Sequence, residues 1–376
     1  MTLTEFLSPP AAATRRTGPQ DIIVLSSRVR LARNLQGLPF PGWAKRADRV
    51  RALETLRAAV EPLPPMAGGF AGAMDSLTAL EKQVLVERHL ISREHAARNA
   101  GSGLVLDRAE SLCVMLNEED HLRMQAIRPG FQFKEAWTAV DALDTLLESR
   151  LPYAFSPELG YLTACPTNVG TGIRVSAMLN LPGLVLAEQI NPIIQAVNKL
   201  GLAVRGLYGE GTEALGNIFQ VSNQMTLGET EPEIVERLTK VVNQMIEHEL
   251  NARRKMLEDK PKVLFNHIGR AYGNLSNSFS ISSKEAMNLL SLLRLGHDLG
   301  LFPGLARAVV DELFLITQPA HLQAAQANKL EAEERDLLRA DVLRARLADV
   351  ARPDTRHLTP PGPPVSNPQK PEDPLS

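Results

Sequence analysis

Short apolar runs, several of them alternating with polar residues, dominate the chain between residues 21 and 225. Apolar residues at helical spacing predict helices at 46–60 and 135–149 within this region. Because side chains on a strand point alternately to opposite faces, the short runs predict strands near 22–25, 104–107, 111–117, 202–207 and 218–225. Strands and helices mixed in this way favour an α+β domain, to which we assign residues 21–255.

The pattern changes at residue 231, after which helical periods continue to about residue 350. Helices at 231–258 and 331–350, with a capping box from Ser282 to Glu285, predict an all-α domain at 256–350. The apolar stripe at 289–295 fits either a dimer contact or the core of that domain. Residues 1–20 are expected to form a flexible leader, and eight prolines predict a disordered tail at 351–376.

Composition limits the class of protein. The 43 acidic and 41 basic residues nearly cancel, to a formal charge of −2, which argues against a nucleic-acid-binding surface over the whole molecule. Two cysteines, Cys113 and Cys165, make neither a disulfide framework nor a zinc site, and they favour the cytoplasm. Neither a membrane span nor a signal-peptide core is evident. We expect a cytoplasmic protein without a nucleic-acid or membrane partner.

Two segments have the chemistry of an anion site. Arg28 and Arg30 would project from one face of a strand, about 7 Å apart, a spacing that suits two oxygens of a polyphosphate. Residues 170–172 form a small-residue loop before a helix-like run that contains Arg174, and a helix N-terminus attracts anions. A solvated strand face and an ordinary turn are the alternatives. Cys165 lies at the edge of this loop.

Four further features carry candidate chemistry. Three consecutive acidic residues directly follow a predicted buried strand: Glu118, Glu119 and Asp120. One of them could be held rigidly enough to bind a guanidinium, or the three could form an ordinary polar loop. Residues 205–213 hold three glycines and fit a lid or a plain surface loop. His89 fits a structural histidine or one that stacks on a base. Arg335 and Arg339 share a helix face, which is also typical of a solvated helix.

Together these segments resemble one family. The runs SSRVRLAR, NEEDHLR, CPTNVGTGIR and RGLYGEGTE occur in this order, and they are similar to the motifs of ATP:guanido phosphotransferases, which include creatine and arginine kinases. The helical run RDLLRA at 335–340 points to the bacterial protein-arginine kinase branch. The resemblance implies a catalytic domain with an antiparallel β-sheet flanked by helices, then an all-α C-terminal domain for phosphoarginine binding and dimerisation. No Walker lysine motif is present, so a P-loop is not expected.

The resemblance also implies roles for individual residues. The catalytic set is Glu119, the favoured base, with Glu210 on the mobile loop and the thiol of Cys165. The thiol is expected to have a lowered pKa from nearby arginines and the helix N-terminus. An allosteric phosphoarginine pocket is implied at Arg335, Asp336, Arg339 and Ala340. The nucleotide site comprises Ser26, Ser27, Arg28, Val29, Arg30, His89, Arg123, Arg174, Val175, Ser176, Ala177, Met178, Arg205, Gly206, Leu207, Tyr208, Gly209 and Glu210.

The implied reaction moves the γ-phosphoryl group of ATP to arginine side chains in proteins, with Mg²⁺ held through the phosphates and no metal site of the protein's own. Alternatives are a kinase for a small guanidino compound and an inert phosphoarginine-binding module. Tyr208 stands where small-substrate arginine kinases carry an arginine, which fits the protein-kinase branch. By resemblance alone, partners are an activator protein, a Clp-type protease and a heat-shock repressor in protein quality control, and the chain forms a homodimer.

Overall fold

The computed structural model describes residues 2–7, 17–207 and 214–356. The strands are β1 (Val24–Arg33), β2 (Phe70–Ala73), β3 (Gly103–Leu106), β4 (Leu112–Leu116), β5 (Leu122–Pro129), β6 (Phe155–Ser156), β7 (Gly160–Tyr161), β8 (Ile173–Asn180), β9 (Leu202–Gly206) and β10 (Ile218–Asn223). The helices before residue 230 are α1 (Leu3–Leu7), α2 (Arg46–Val60), α3 (Ala79–Glu87), α4 (Arg93–Ala96), α5 (Phe133–Glu148), α6 (Pro182–Leu186) and α7 (Ile190–Lys199). The later helices are α8 (Glu231–Asp259), α9 (Pro261–Asn277), α10 (Ser283–Asp298), α11 (Arg307–Ile316), α12 (Pro319–Ala324) and α13 (Ala332–Leu347).

Within the described residues, eight strands form one antiparallel sheet in the order β2-β3-β4-β5-β1-β8-β10-β9. Strand β1 lies near the centre, between β5 and β8. Sequence-distant segments are therefore neighbours in space. The predicted α+β class, with an antiparallel sheet flanked by helices and a helical C-terminal region, is confirmed.

The two faces of the sheet differ in chemistry along β1. Val29 and Leu31 are fully buried and join the main core with α5 and α8. Arg28 and Arg30 alternate with them and point to the other face, because successive side chains of a strand point in opposite directions. One face of the sheet therefore forms the core, and the other is available for polar chemistry.

Helix α8 connects the sheet to the C-terminal helices. Its buried apolar residues as far as Ala252 belong to the core under the sheet, whereas Met256 belongs to a second core built by α9, α10, α11 and α13. Leu290 and Leu293 are 0% exposed and lie inside this second core. Leu295 is also buried there, so these three leucines of the stripe at 289–295 serve as core within the chain, whereas Leu289 is half-buried.

The leader prediction is wrong for residues 3–7. Leu3, Phe6 and Leu7 repeat at helical spacing, form α1 and are buried in a third apolar cluster. The ring of Phe6 lies 6.2 Å from that of Phe70. Burial of these side chains holds the segment against β2, because three apolar residues on one helix face need a partner surface. The predicted tail from residue 357 onward lies outside the described residues.

Candidate active site

The strand register places four of the predicted arginines on one face of the sheet. Arg30 on β1 lies directly opposite Arg174 on β8. Ala32, two residues beyond Arg30 on the same face, lies opposite Arg123 on β5. Arg28 precedes Arg30 by two residues and shares its face. Paired residues in adjacent antiparallel strands project to the same side, so Arg28, Arg30, Arg123 and Arg174 converge.

The fifth arginine reaches the same face from the edge strand. Arg205 on β9 lies opposite Gln220 on β10, and Gln220 lies opposite Met178 on β8. Met178 is four residues from Arg174 and therefore on the same face. The five arginines form what we call the arginine face, which consists of Arg28, Arg30, Arg123, Arg174 and Arg205.

Arg174 lies on a strand, not at the start of a helix, and the prediction of a helix N-terminus is wrong. The run 173–180 has buried Ile173 and Val175 alternating with half-buried Arg174. This period of two is that of a strand. Gly170 and Gly172 have φ values of 112° and 67°, which only glycine adopts without strain. The loop is therefore a turn into β8, and the helix predicted after it supplies no dipole to the anion site.

Like charges and burial perturb the arginine face. Burial, reinforced by Arg123 and Arg174, lowers the pKa of Arg28 to about 10. Burial and the neighbouring arginines lower the pKa of Arg30 well below its ordinary value. Burial and the charges of Arg205 and Arg123 lower the pKa of Arg174. A bound polyanion would relieve this repulsion, so each shift favours an anionic ligand.

Two guanidinium groups also keep unused donors. The Nε atoms of Arg30 and Arg174 are buried and have no hydrogen-bond partner among the described residues. Two donors of Arg28 and Arg174 meet neutral oxygens: Arg28 Nη2 lies 2.9 Å from Gln220 Oε1, and Arg174 Nη2 lies 3.3 Å from Ser222 Oγ. Buried unpaired donors are costly, which makes this site suited to phosphate oxygens.

Arg123 differs because it has a carboxylate partner. It forms an ion pair with Glu118, which is only 1% exposed and also accepts a hydrogen bond from Ser92. Burial opposes the charge of Arg123, but Glu118 outweighs that effect and raises the pKa of the guanidinium. Glu118 thus fixes the orientation of Arg123. Sequence reasoning assigned it no role, since three consecutive acidic residues do not reveal which one points inward.

The three consecutive carboxylates have three different environments. Glu118 is buried against Arg123, whereas Glu119 is exposed at the tip of the turn beside the arginine face. Asp120 is buried, and its Oδ1 accepts hydrogen bonds of 2.6 Å from both Asn34 Nδ2 and the Ala164 amide. Burial raises the pKa of Asp120 to about 6. Only Glu119 is therefore free to meet an incoming substrate.

Asp120 also ties the Glu119 turn to the segment that carries Cys165. Its bond to the Ala164 amide fixes the residue that precedes the thiol. Cys165 is half-buried, and its Sγ lies 3.1 Å from Thr167 Oγ1. The thiol also opposes the lowering of the pKa of Arg174, so the two groups lie within electrostatic range of each other. The Glu119 turn and Cys165 are thus held together beside the arginine face, and Cys165 precedes a single 3-10 turn, Pro166–Asn168, and not the longer helix predicted after the loop.

The remaining predicted nucleotide residues divide between the two faces. His89 has a φ of 59°, and burial together with the charge of Arg28 lowers its pKa to about 4, so its imidazole is neutral near pH 7. Ser26, Ser176 and Met178 share the arginine face. Four of the predicted nucleotide residues have side chains on the core-facing side, so they can contribute to the site only through their backbone atoms: Ser27, Val29, Val175 and Ala177. Gly206 ends β9 and Leu207 follows it, whereas Tyr208, Gly209 and Glu210 lie outside the described residues.

The predicted phosphoarginine residues lie on α13. Arg339 is 1% exposed, and its Nε and Nη1 donate to the Thr317 and Ile281 carbonyls at 2.8 Å each. Asp336 pairs with Arg339, and Ala340 is buried. Arg335 lies nearer the surface and donates to the Leu330 carbonyl at 2.7 Å. Most donors of Arg339 thus hold the helical domain together, and Arg335 is the more accessible of the two arginines.

Among residues 2–7, 17–207 and 214–356, no helix is both long and apolar enough to cross a bilayer. In the same residues, no group of three or more His, Cys, Asp or Glu side chains could hold a metal ion.

Comparison with solved structures defines the class of this fold. The duplicated taurocyamine kinase from Schistosoma mansoni, with bound transition-state-analogue components, aligns with a TM-score of 0.56 at 23% identity, over 69% of this chain and 39% of that one. Lombricine kinase aligns with a TM-score of 0.54 at 24% identity, over 66% of this chain and 75% of that one. The fold is therefore that of the guanidino kinases.

Sequence comparison identifies the family to which the chain belongs and its branch within that family. The family model for the ATP:guanido phosphotransferase C-terminal catalytic domain matches residues 59–252, and that for the protein-arginine kinase McsB C-terminal domain matches residues 261–358. The protein-arginine kinase of Bacillus licheniformis is 48% identical over 89% of this chain and 92% of its own length. That of Bacillus subtilis is 44% identical over 92% and 96%. The chain belongs to the protein-arginine kinases of the ATP:guanido phosphotransferase family.

Proposed function

We propose that this protein transfers the γ-phosphoryl group of ATP to arginine side chains of other proteins. The observation that carries the proposal is the arginine face, where guanidinium groups from four strands converge and two buried Nε atoms lack partners among the described residues. An exposed carboxylate, Glu119, lies at the edge of that face. Cations for the donor and an acid for the acceptor are therefore adjacent.

The arginine face would hold the triphosphate. Phosphoryl transfer passes through a loose transition state whose charge lies on the transferred oxygens, so catalysis depends on positioning and charge stabilisation. Arginine suits this task because its planar fork and permanent charge match phosphate oxygens. We assign Mg²⁺ to the phosphates of ATP, since this ion usually binds through phosphate oxygens and water.

The acceptor needs help from the acidic residues. A free guanidinium is protonated and a poor nucleophile. We assign Glu119 as the base that aligns the guanidinium and accepts its proton while the nitrogen bonds to the γ-phosphorus and ADP departs. Glu210 is proposed as a second carboxylate and Cys165 as a nearby thiol that adds negative charge. The closeness of Cys165 to Arg174 supports this arrangement.

Several finer assignments belong to the same proposal. Arg335 and Arg339 would bind phosphoarginine and report it to the catalytic domain, and the better exposed Arg335 would make first contact. The two free thiols agree with a cytoplasmic location. A homodimer, an activator protein, a Clp-type protease and a heat-shock repressor are partners proposed from the family resemblance.

The test is phosphorylation of an arginine-rich protein with Mg-ATP. We expect acid-labile phosphate bonded to nitrogen. Glu119→Gln should reduce the rate about 10²-fold or more, because it removes a general base. Glu135→Gln is the matched control, since Glu135 is exposed on α5 at the opposite side of the sheet and should leave the rate unchanged.

Other outcomes select the alternatives. Labelling of free arginine in place of protein would identify a small-guanidino kinase. Phosphoarginine binding without any labelling would identify an inert reader. A Glu119→Gln protein with the normal rate would overturn the assignment of the base.

A further inference from the structure

Exposed apolar side chains lie in two segments that are attached to the Glu119 turn, residues 117–121. One segment joins β1 to α2 and the other is the β6–β7 hairpin, and the side chains are Leu38, Trp43, Phe155 and Leu159. Trp43 is 91% exposed and Phe155 is 56% exposed. A single exposed apolar residue is ordinary, whereas a group of them around one point is typical of an interaction site. We call these four side chains the apolar rim.

Asn34 connects both segments to the Glu119 turn. It is buried at the end of β1. Its Nδ2 donates to Asp120 Oδ1 at 2.6 Å, and its Oδ1 accepts a hydrogen bond from the His121 amide at 2.9 Å. Its backbone carbonyl accepts a hydrogen bond of 2.7 Å from the amide of Ala154, just before the hairpin. One buried side chain therefore sets where the two segments lie relative to the turn.

The imidazole of His121 holds the segment that carries Trp43. The Leu35 amide lies 3.1 Å from His121 Nδ1, and the ring of Phe40 packs edge-on against the imidazole with centroids 6.4 Å apart. The Trp43 amide donates to the Phe40 carbonyl at 2.9 Å. Trp43 is thus one tight turn away from a residue that packs against the Glu119 turn.

The far end of this segment is also bonded to the Glu119 turn. Asn117 Nδ2 donates to the Arg49 carbonyl at 2.9 Å, and Arg49 Nη1 donates to the Ala44 carbonyl at 2.9 Å. Ala44 follows Trp43 and is buried. The chain on both sides of Trp43 is therefore fixed, while the indole itself is left in solvent.

The hairpin is tied to the loop before β8. The ring of Phe155 packs edge-on against Tyr161, with centroids 5.3 Å apart, and the Tyr161 amide donates to the Gly170 carbonyl at 2.8 Å. In the same stretch of chain, the Ala164 amide donates to the Glu119 turn. The hairpin therefore also keeps a defined position beside that turn.

A substrate protein must lie over this region for its arginine to reach Glu119. In an extended polypeptide, a residue two positions from the arginine lies about 7 Å away along the chain. The residues that flank the acceptor therefore lie over the surface around the Glu119 turn, where the apolar rim is exposed. Contact between apolar side chains removes their surface from water, which favours binding.

We propose that the apolar rim binds the residues that flank the acceptor arginine and favours large apolar ones. Trp43 and Phe155 are then specificity-determining residues for a polypeptide substrate. Free arginine has no flanking residues and cannot use them. This inference rests on the proposed function, because it takes the acceptor guanidinium to be bound at Glu119.

The test compares two peptides with the full-length chain and Mg-ATP. Each peptide contains one arginine, flanked on both sides by leucine and phenylalanine in one peptide and by glycine and serine in the other. The wild type should phosphorylate the apolar peptide with a kcat/KM at least about tenfold higher. Trp43→Ala should raise the KM for that peptide about tenfold, the effect of losing one tryptophan contact at an interface. Its kcat and its KM for the glycine peptide and for ATP should not change, and Phe155→Ala should act in the same direction.

Two further variants separate recognition from a structural effect. Trp43→Phe keeps an aromatic ring and should retain most of the preference for the apolar peptide. Leu250→Ala is the matched control, because it removes an exposed apolar side chain from α8, which packs against the other face of the sheet. It should leave the kinetics of both peptides unchanged.

Several outcomes would overturn the apolar rim. They are an equal kcat/KM of the wild type for both peptides, labelling of an arginine-rich protein but of neither peptide, and rim variants that keep the preference or lose activity equally on both peptides. A changed molecular mass of Trp43→Ala in sedimentation would assign Trp43 to a contact between copies and would also overturn it. A wild type that labels neither peptide nor the arginine-rich protein would overturn the proposed function itself.

Discussion

Two arginines three residues apart on β1, Arg30 and Arg33, show how the same side chain serves opposite purposes. Arg33 points into the core-facing side of the sheet, where its Nε and Nη2 donate to Asp144 at 3.0 and 2.6 Å. Arg30 points to the arginine face, where none of the described carboxylates forms an ion pair with it and its Nε has no partner. The paired arginine builds the fold, and the unpaired one is available to a ligand.

The surroundings of each arginine explain the difference. Arg33 is 1% exposed, its guanidinium lies 3.5 Å from the ring centroid of Tyr161, and its Nη1 donates to the Thr171 carbonyl at 2.8 Å. It therefore supports the loop that leads into β8. Arg30 has Arg174 directly opposite it across the ladder. Like charges directly opposite each other destabilise a sheet. A bound anion would offset that repulsion, so the pair indicates an anion-binding site.

The largest effect is expected from breaking the paired arginine. Arg33→Ala would leave Asp144 buried without its cation and should lower the free energy of unfolding by about 3–5 kcal/mol. Urea denaturation followed by circular dichroism measures this loss. The double variant Arg33→Met, Asp144→Leu removes both charges and should recover most of it. A loss below about 1 kcal/mol in Arg33→Ala, typical of exposed pairs, would contradict the structural role of the pair.

The unpaired arginine should respond in the opposite way. Arg30→Gln removes one charge from the arginine face, so the free energy of unfolding should equal or exceed that of the wild type. Its kcat/KM should fall about 10²–10³-fold, the cost of removing one preorganised donor to developing charge. Steady-state kinetics and urea denaturation give the two values. Arg51→Gln, at a side chain that is 77% exposed on α2, is the control and should change neither.

If Arg30→Gln destabilised the protein as strongly as Arg33→Ala, the contrast between the two arginines would be wrong. Unchanged kinetics would remove Arg30 from the phosphate site while leaving the fold description intact.

The sequence predicts the local pattern of β1 well but not the meeting of its arginines with those of other strands. Alternation places Arg28 and Arg30 on one face of an extended segment, as the structure has them. That Arg174 would lie opposite Arg30 depends on the register between strands more than 140 residues apart in the chain. Register is set by the core and the turns of the whole sheet, and no local pattern reports it.

The helix predicted at Arg174 shows where local reasoning failed. A glycine-containing loop followed by mixed residues suggested a helix start, but the buried alternation of Ile173 and Val175 was the stronger signal. The acidic turn was ambiguous for another reason. Glu118 points inward because it pairs with Arg123 on β5. Asp120 points inward because it accepts a hydrogen bond from Asn34, just beyond the end of β1. A one-dimensional pattern cannot identify such partners.

The smallest expected effect concerns low pH, at which protonation of His89 would add a positive charge beside the arginine face. The pKa of His89 is lowered from 6.5 to about 4, chiefly by burial and then by Arg28, so the unfolded chain binds this proton first as the pH falls. The contribution of neutral His89 to the free energy of unfolding is therefore complete above about pH 6.5 and is lost progressively as the pH falls towards about 4. Each such histidine contributes a slope of about 1.4 kcal/mol per pH unit between these limits.

The pKa values of His95 and His121 are also lowered to about 4, mainly by burial, whereas that of Asp120 is raised to about 6 and gives a slope of opposite sign. His89→Gln should therefore remove about one third of the slope that these three histidines cause, and the difference from wild type isolates it. Urea denaturation at several pH values between 4 and 7 measures it, with exposed His248→Gln as the control. Tripolyphosphate should reduce the difference between wild type and His89→Gln, because a bound polyanion offsets the charge that protonation adds beside Arg28. A slope unaffected by His89→Gln would show that this imidazole is not held among the cations of the arginine face.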